Sequence, residues 1–332
     1  MGHRKWSDSF MLPRMSDTAT AATLDPAAAY PEVNAVRAAL AARDWAGVRR
    51  VVDAASPVGR TMLLRIGADS DDLEDLLRYV VLTDPDDSGA AAMLGMHLIR
   101  IGWGIRSGAR AQHVSSEQFS TFHDWLRRAE VVLLDGLARH PADPALWTAR
   151  LISARGLEMG LAETRRRYHK LAALDPHHLP GQIQFLQRLC PKWSGSWELL
   201  HPWCREAMLA APPGALQAGL VVEGHIEHWL DLDGDEPSLR YLQDGPVRAE
   251  IYEAAQRSVW HPDFRRDPGW VQVANGFAMV FGLLDDQRAA ASVFAMLGNL
   301  ATELPWGYLQ GGALDNFNTR RHWALAGAGG ET

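Results

Sequence analysis

Apolar side chains along this chain return at three- and four-residue intervals, and no stretch alternates with period two for long enough to predict a strand. Val33, Val36 and Leu40 mark one short helix. Across the turn Arg43-Asp44-Trp45, Val48, Val51, Val52 and Ala55 mark the next, and Ser56-Pro57 stops it. Phe122, Trp125, Leu126, Ala129, Val132, Leu133 and Leu137 line one side of a longer helix over 122–139. Pro144 opens its successor at the first turn, where proline is tolerated, and Trp147, Leu151, Ile152 and Ala154 carry it on. Pro180 opens another helix through Ile183, Phe185, Leu186 and Leu189. Further helical patterns cover 197–209, 215–230, 251–259, 270–284 and 287–300, so the predicted fold class is all-α.

These helices carry a longer rhythm. Pro141, Pro176 and Pro212 lie 35 and 36 residues apart. Eight residues before each stands Leu133, Tyr168 or Cys204, and five residues before stands Gly136, Leu171 or Ala207. Leu77 and Val80 repeat those offsets ahead of Pro85. A period of this size predicts stacked helical hairpins, because neither short helix of a pair can bury its apolar stripe alone. From Pro85 to Pro141 is 56 residues, one repeat plus 21, which predicts an irregular insertion over 102–119. The expected organisation is a disordered segment over 1–30, a single right-handed α-solenoid over 31–325 with an acidic connection at 231–245, and a flexible tail over 326–332.

The proline phase and the small and aromatic positions upstream of it resemble tetratricopeptide repeats, although the first-helix Trp and Gly-Tyr of the consensus are mostly missing. The string Pro191-Lys-Trp-Ser-Gly-Ser196 is similar to the Pro-Lys-Trp-x-Gly-Ser signature of an uncharacterised bacterial family of tetratricopeptide-like proteins, and the segment from Trp103 through Arg106-Ser-Gly108 also resembles that family. That resemblance implies the helical-repeat fold and transfers no biochemical activity.

Charge and composition narrow the function. A net charge of −7 argues against a general nucleic-acid binder. No run of 18 apolar residues offers a membrane span, and 1–13 carry no secretory signal, so a cytoplasmic location is expected. Two cysteines, Cys190 and Cys204, are too few for a disulfide framework or a four-cysteine zinc site. Neither a P-loop nor a G-x-S-x-G elbow is present. Within 223–228 one helix carries His225 and His228 at i, i+3 and Glu223 and Glu227 at i, i+4, but H-E-x-x-H is absent and these read as surface or inter-repeat polar groups rather than metal ligands. The stretch from Asp231 to Glu236 imitates a calcium loop, with its glycine at the wrong position. No cofactor is expected.

Two segments carry candidate binding chemistry. Lys192, Trp193, Ser194 and Trp197 supply an ammonium, two indoles and a hydroxyl within one turn. Trp103, Arg106, Arg110 and His113 supply cations in the insertion that suit a carboxylate or phosphate. The same side chains also suit packing between repeats. The leading expectation is a non-catalytic interaction scaffold holding a peptide or protein segment, anchored by Trp193, Trp197 and Arg106. The alternative is an enzyme or small-ligand binder of a bacterial specialised pathway, with its site between 102–119 and 191–197.

Overall fold

The computed structural model describes residues 21–106 and 114–328 of the chain. Among them no strand occurs, and helices account for the fold. The chain forms two compact units, Tyr30–Leu200 and 21–29 with 201–328, where the sequence reading has one continuous body.

The first unit runs α1 (Glu32–Ala41), α2 (Trp45–Ala54), α3 (Pro57–Gly67), α4 (Glu74–Thr83), α5 (Ser88–Arg106), α6 (Ser116–Arg139), α7 (Pro144–Gly156), α8 (Gly160–Leu174) and α9 (Leu179–Leu189). A 3₁₀ turn, Pro191–Trp193, leads to α10 (Trp197–Ala210), within which the boundary between units falls. Successive helices from α1 to α3 and from α4 to α9 pack on each other, and α3 on α5, α5 on α7 and α7 on α9 also touch. The repeat prolines occupy the links: Pro85 between α4 and α5, Pro141 between α6 and α7, Pro176 between α8 and α9. Leu77, Leu133, Tyr168 and Cys204, eight residues upstream of the four prolines, are all buried.

Local chemistry sets these helix starts. Asp87 accepts the Ala90 N–H at 2.8 Å and begins α5; Asp143 accepts the Ala145 N–H at 2.8 Å ahead of Pro144 and begins α7. Arg60 of α3 then donates to Asp143 (2.8 Å) and Ser88 (3.1 Å), pinning three helix ends at one point. Ser115 and Gln118 close a capping box at α6. Part of the stretch read as an insertion is therefore regular: α5 continues through Arg106 and α6 resumes at Ser116.

A buried ionic network locks α6, α7 and α8 together. Glu130 accepts both Nη groups of Arg167 (2.7 and 3.0 Å) and Nη2 of Arg150 (3.0 Å), with the Ser153 hydroxyl also donating to it. Burial favours the protonated acid, but these donors outweigh it and hold the Glu130 carboxyl below the usual carboxylate range.

The second unit comprises the rest of α10, α11 (Gly219–Asp231), α12 (Asp235–Gln243), α13 (Gly245–Arg257), α14 (Trp270–Leu283), α15 (Gln287–Leu297), α16 (Glu303–Trp306) and α17 (Ala313–Ala328). Its centre is α14, apolar but for Gln272 and Asn275, which contacts α11, α15, α16 and α17. Residues 235–243, read from sequence as part of an acidic connection, form α12, whose Ser238 and Leu242 are buried one turn apart. The segment 21–29 falls in the region expected to be disordered. It is tied down by backbone pairing instead: the Thr23 N–H donates to the Asn299 carbonyl (2.9 Å) and the Ala301 N–H to the Thr23 carbonyl (3.0 Å). No helix among the described residues is long and apolar enough to cross a membrane.

Candidate functional site

The Pro191–Gly195 string folds as it does for three separable reasons. Pro191 follows Cys190 in extended backbone and starts a 3₁₀ turn. Ser194 takes the left-handed region at φ 64° and turns the chain back. Gly195 then passes so close to the Leu189 carbonyl that any Cβ there would collide with main chain, and its N–H donates to the Cys190 carbonyl at 3.1 Å. The result presents Trp193 to the end of α5.

There Trp193 meets Trp103 edge to face, ring centroids 5.8 Å apart at 85°. Trp103 in turn packs on Phe122 of α6 at 4.9 Å. Gly156 of α7 leaves the room this needs, because a methyl there would collide with Phe122 and Leu126. Two guanidiniums embrace the indole pair. Arg106 lies 5.4 Å from the Trp103 centroid and 5.8 Å from that of Trp193; Arg155 lies 5.6 and 5.5 Å from the same two rings. Arg155 also donates to Gln184 of α9 at 3.1 Å.

A third arginine, Arg188, stands one turn beyond Gln184 at the end of α9. Its residue exposure is 5%, and that of Arg106 is 9%. Burial pushes both guanidiniums below their usual range, and the charge of Glu158, an exposed residue in the α7–α8 turn, offsets this only in part. Arg188 Nε and Nη1 and Trp103 Nε1 are buried without a hydrogen-bond partner. Such orphaned donors cost free energy unless something binds them. Among the described residues, the side chains around the indole pair thus offer donors and positive charge, with the carboxylate of Glu158 acting against them.

Of the residues singled out from sequence, Trp103, Arg106 and Trp193 are brought together. Lys192 and Ser194 sit exposed on the same turn as Trp193, and Trp197 opens α10 half-buried. Arg110 and His113 lie outside the described residues. Sequence reasoning missed Arg155, Arg188 and Glu158. No signal in the sequence sets Arg188 apart, because α9 also carries Gln182, Gln184 and Gln187.

The remaining candidates are placed elsewhere. Cys190 is buried, its thiol pointing to the Leu186 carbonyl at 3.6 Å. His225 of α11 bonds Tyr241 and Glu250, and no group of three His, Cys, Asp or Glu among the described residues is arranged to hold a metal ion. A surface cavity of about 490 Å³ surrounds the Arg60–Asp143 clamp. No protein-family model, curated protein or solved structure matches the chain.

Proposed function

We propose that the chain is a tetratricopeptide-like α-solenoid protein whose first unit is a binding module for an anionic group, a carboxylate or phosphate, captured at the Trp103–Trp193 cluster. The observation that carries this reading is Arg188: a guanidinium more than nine-tenths buried, with two donors unpaired, beside a cluster holding two more arginines. A buried guanidinium with unpaired donors is retained at a cost, and an anion reaching Nε or Nη1 would supply a charge-assisted bond. Among the described residues the cluster supplies donors, cations and aromatic faces, which suit the capture of an anion. The anion is carried by a small molecule or by an acidic segment of a protein partner. The helical-repeat reading is supported by the buried positions eight residues ahead of each proline and by the prolines' place in the links.

The test is a titration followed by tryptophan emission and calorimetry, at constant ionic strength. Its arms are sodium pyrophosphate, citrate and a short oligoglutamate peptide, with chloride as control. Saturable binding of pyrophosphate or citrate that weakens at least tenfold in Arg188→Met supports a small anion. Saturable binding of the peptide alone, with the same loss, supports an acidic segment. Chloride-like behaviour in all three arms removes the proposal.

A further inference from the structure

A different cluster lies wholly within the second unit, around an open cavity of about 510 Å³. Four helices contribute to it. His201 and Arg205 come from α10, His225 and His228 from one face of α11, Tyr241 from α12 and Glu250 from α13. Their polar atoms form a chain. Arg205 Nη1 donates to Glu250 Oε1 at 3.3 Å. Glu250 Oε2 lies 3.1 Å from His225 Nε2, His225 Nδ1 lies 2.7 Å from Tyr241 Oη, and Tyr241 Oη lies 3.3 Å from His201 Nε2. His201 Nε2 in turn lies 3.0 Å from His228 Nδ1.

The donors and acceptors in this chain follow from its end. An ionised Glu250 only accepts, so His225 donates through Nε2; in the neutral imidazole Nδ1 is then the acceptor. Tyr241 must then donate its hydroxyl proton to His225 Nδ1, and His201 Nε2–H faces the phenol oxygen. Glu250 is held ionised: the His225 hydrogen bond, then Arg205, draws its carboxyl below the usual range against the effect of burial. Tyr241 is held protonated, because burial and the charges of Glu250 and Asp244 push its phenol above the usual range. His225 is 2% exposed and stacked on His201 at 4.8 Å, so its ring is fixed between its two partners.

We propose that Glu250, His225 and Tyr241 form a carboxylate–imidazole–phenol triad in which Tyr241 Oη is a nucleophile towards the acyl group of a small ester bound in the cavity. The roles match those of any oriented nucleophile–base pair: a hydroxyl, an imidazole within reach of its proton, and a carboxylate that orients the imidazole. Tyr241 Oη attacks the acyl carbon while its proton passes to His225 Nδ1. The bond to the leaving oxygen breaks, and that oxygen takes the proton from His225. Water then attacks the tyrosyl ester, giving a proton to His225 that returns to Tyr241 Oη; the sum is ester plus water to acid plus alcohol. The first turn of α13 borders the cavity through Pro246 and Val247 and has no side-chain cap.

The full chain is tested with 4-nitrophenyl acetate. The expected result is a burst of nitrophenol stoichiometric with protein and an acetyl group located on Tyr241 by tandem mass spectrometry after acid quench. Tyr241→Phe, which removes one hydroxyl and whose fold is checked by circular dichroism, loses the adduct and slows the burst by about 100-fold or more. Glu250 acts through His225 as a positioning residue. Glu250→Gln is therefore expected to lower the acylation rate constant at least tenfold while leaving the half-saturating ester concentration unchanged. Acetylation of His201, His228 or a lysine in place of Tyr241, an undiminished burst in Tyr241→Phe, or no burst at all overturns the proposal.

Discussion

Replacing Arg188 by methionine should make the ligand-free protein more stable. The side chain is 5% exposed, and its Nε and Nη1 have no hydrogen-bond partner. Each buried, unsatisfied donor costs about 1–3 kcal/mol. Methionine keeps a flexible apolar stem of similar reach and removes both donors and the charge. The packing lost with the guanidinium offsets part of the gain. Replacing buried ionic groups by apolar ones of similar volume stabilises other proteins by about 1–4 kcal/mol, so an increase of about 2 kcal/mol is expected. Urea unfolding followed by circular dichroism and by tryptophan emission measures it, with the midpoint rising at unchanged slope. In a unit of this size the melting temperature should rise by roughly 4–8 °C. A variant that loses 1 kcal/mol or more would show that Arg188 has structural partners that satisfy it, and the argument for a waiting anion site would fail.

Other substitutions should act in the opposite direction. Glu130→Gln leaves Arg167 and Arg150, both buried, without their shared carboxylate, and is expected to cost about 3–5 kcal/mol in urea unfolding. His178 is buried between Thr61 (3.0 Å) and the Gly181 N–H (3.3 Å), and burial depresses its pKa below the usual value. Its unfolded form therefore takes up a proton below pH about 6.5 while the folded form resists, so stability is full above that pH and falls beneath it. His178→Gln should flatten the decline between about pH 6.5 and 5 in thermal melts; an unchanged slope would contradict the assignment. Gly195→Ala drives a methyl into the Leu189 backbone and should cost about 2 kcal/mol, together with a shifted tryptophan emission from the displaced Trp193.

Sequence patterns reported what is local. Asp143-Pro144 starts α7 because the carboxylate and the ring act within one turn, and that chemistry is readable from two letters. The positions eight and five residues before Pro85, Pro141 and Pro176 are buried or nearly so because a repeat of fixed length returns the same face to its neighbours. The turn at 191–195 was legible as a turn, and its tight approach to Leu189 explains why glycine stands there. What depends on third partners was not legible. Arg155 joins Trp103 and Trp193 only once α5 and α7 are stacked, and nothing in its spacing along the chain announces it. The break between the two units is equally silent, since the interval from Pro176 to Pro212 keeps the repeat length straight through it. α12 was hidden by Gly234 and Pro237, which read as loop residues. The glycine adopts φ 89° just outside the helix and the proline sits in its first turn, so both belong to its start.

The central claim is that the Trp103–Trp193 cluster of the first unit receives an anion on buried guanidiniums. Calorimetric titration of the full chain with sodium pyrophosphate and with citrate, against chloride at matched ionic strength and beside the oligoglutamate arm, tests it most directly. The account predicts one-site binding of at least one of these anions, with quenching or shift of tryptophan emission, lost in Arg188→Met although that variant is the more stable protein. Heats and emission indistinguishable from the chloride control in every arm would contradict it.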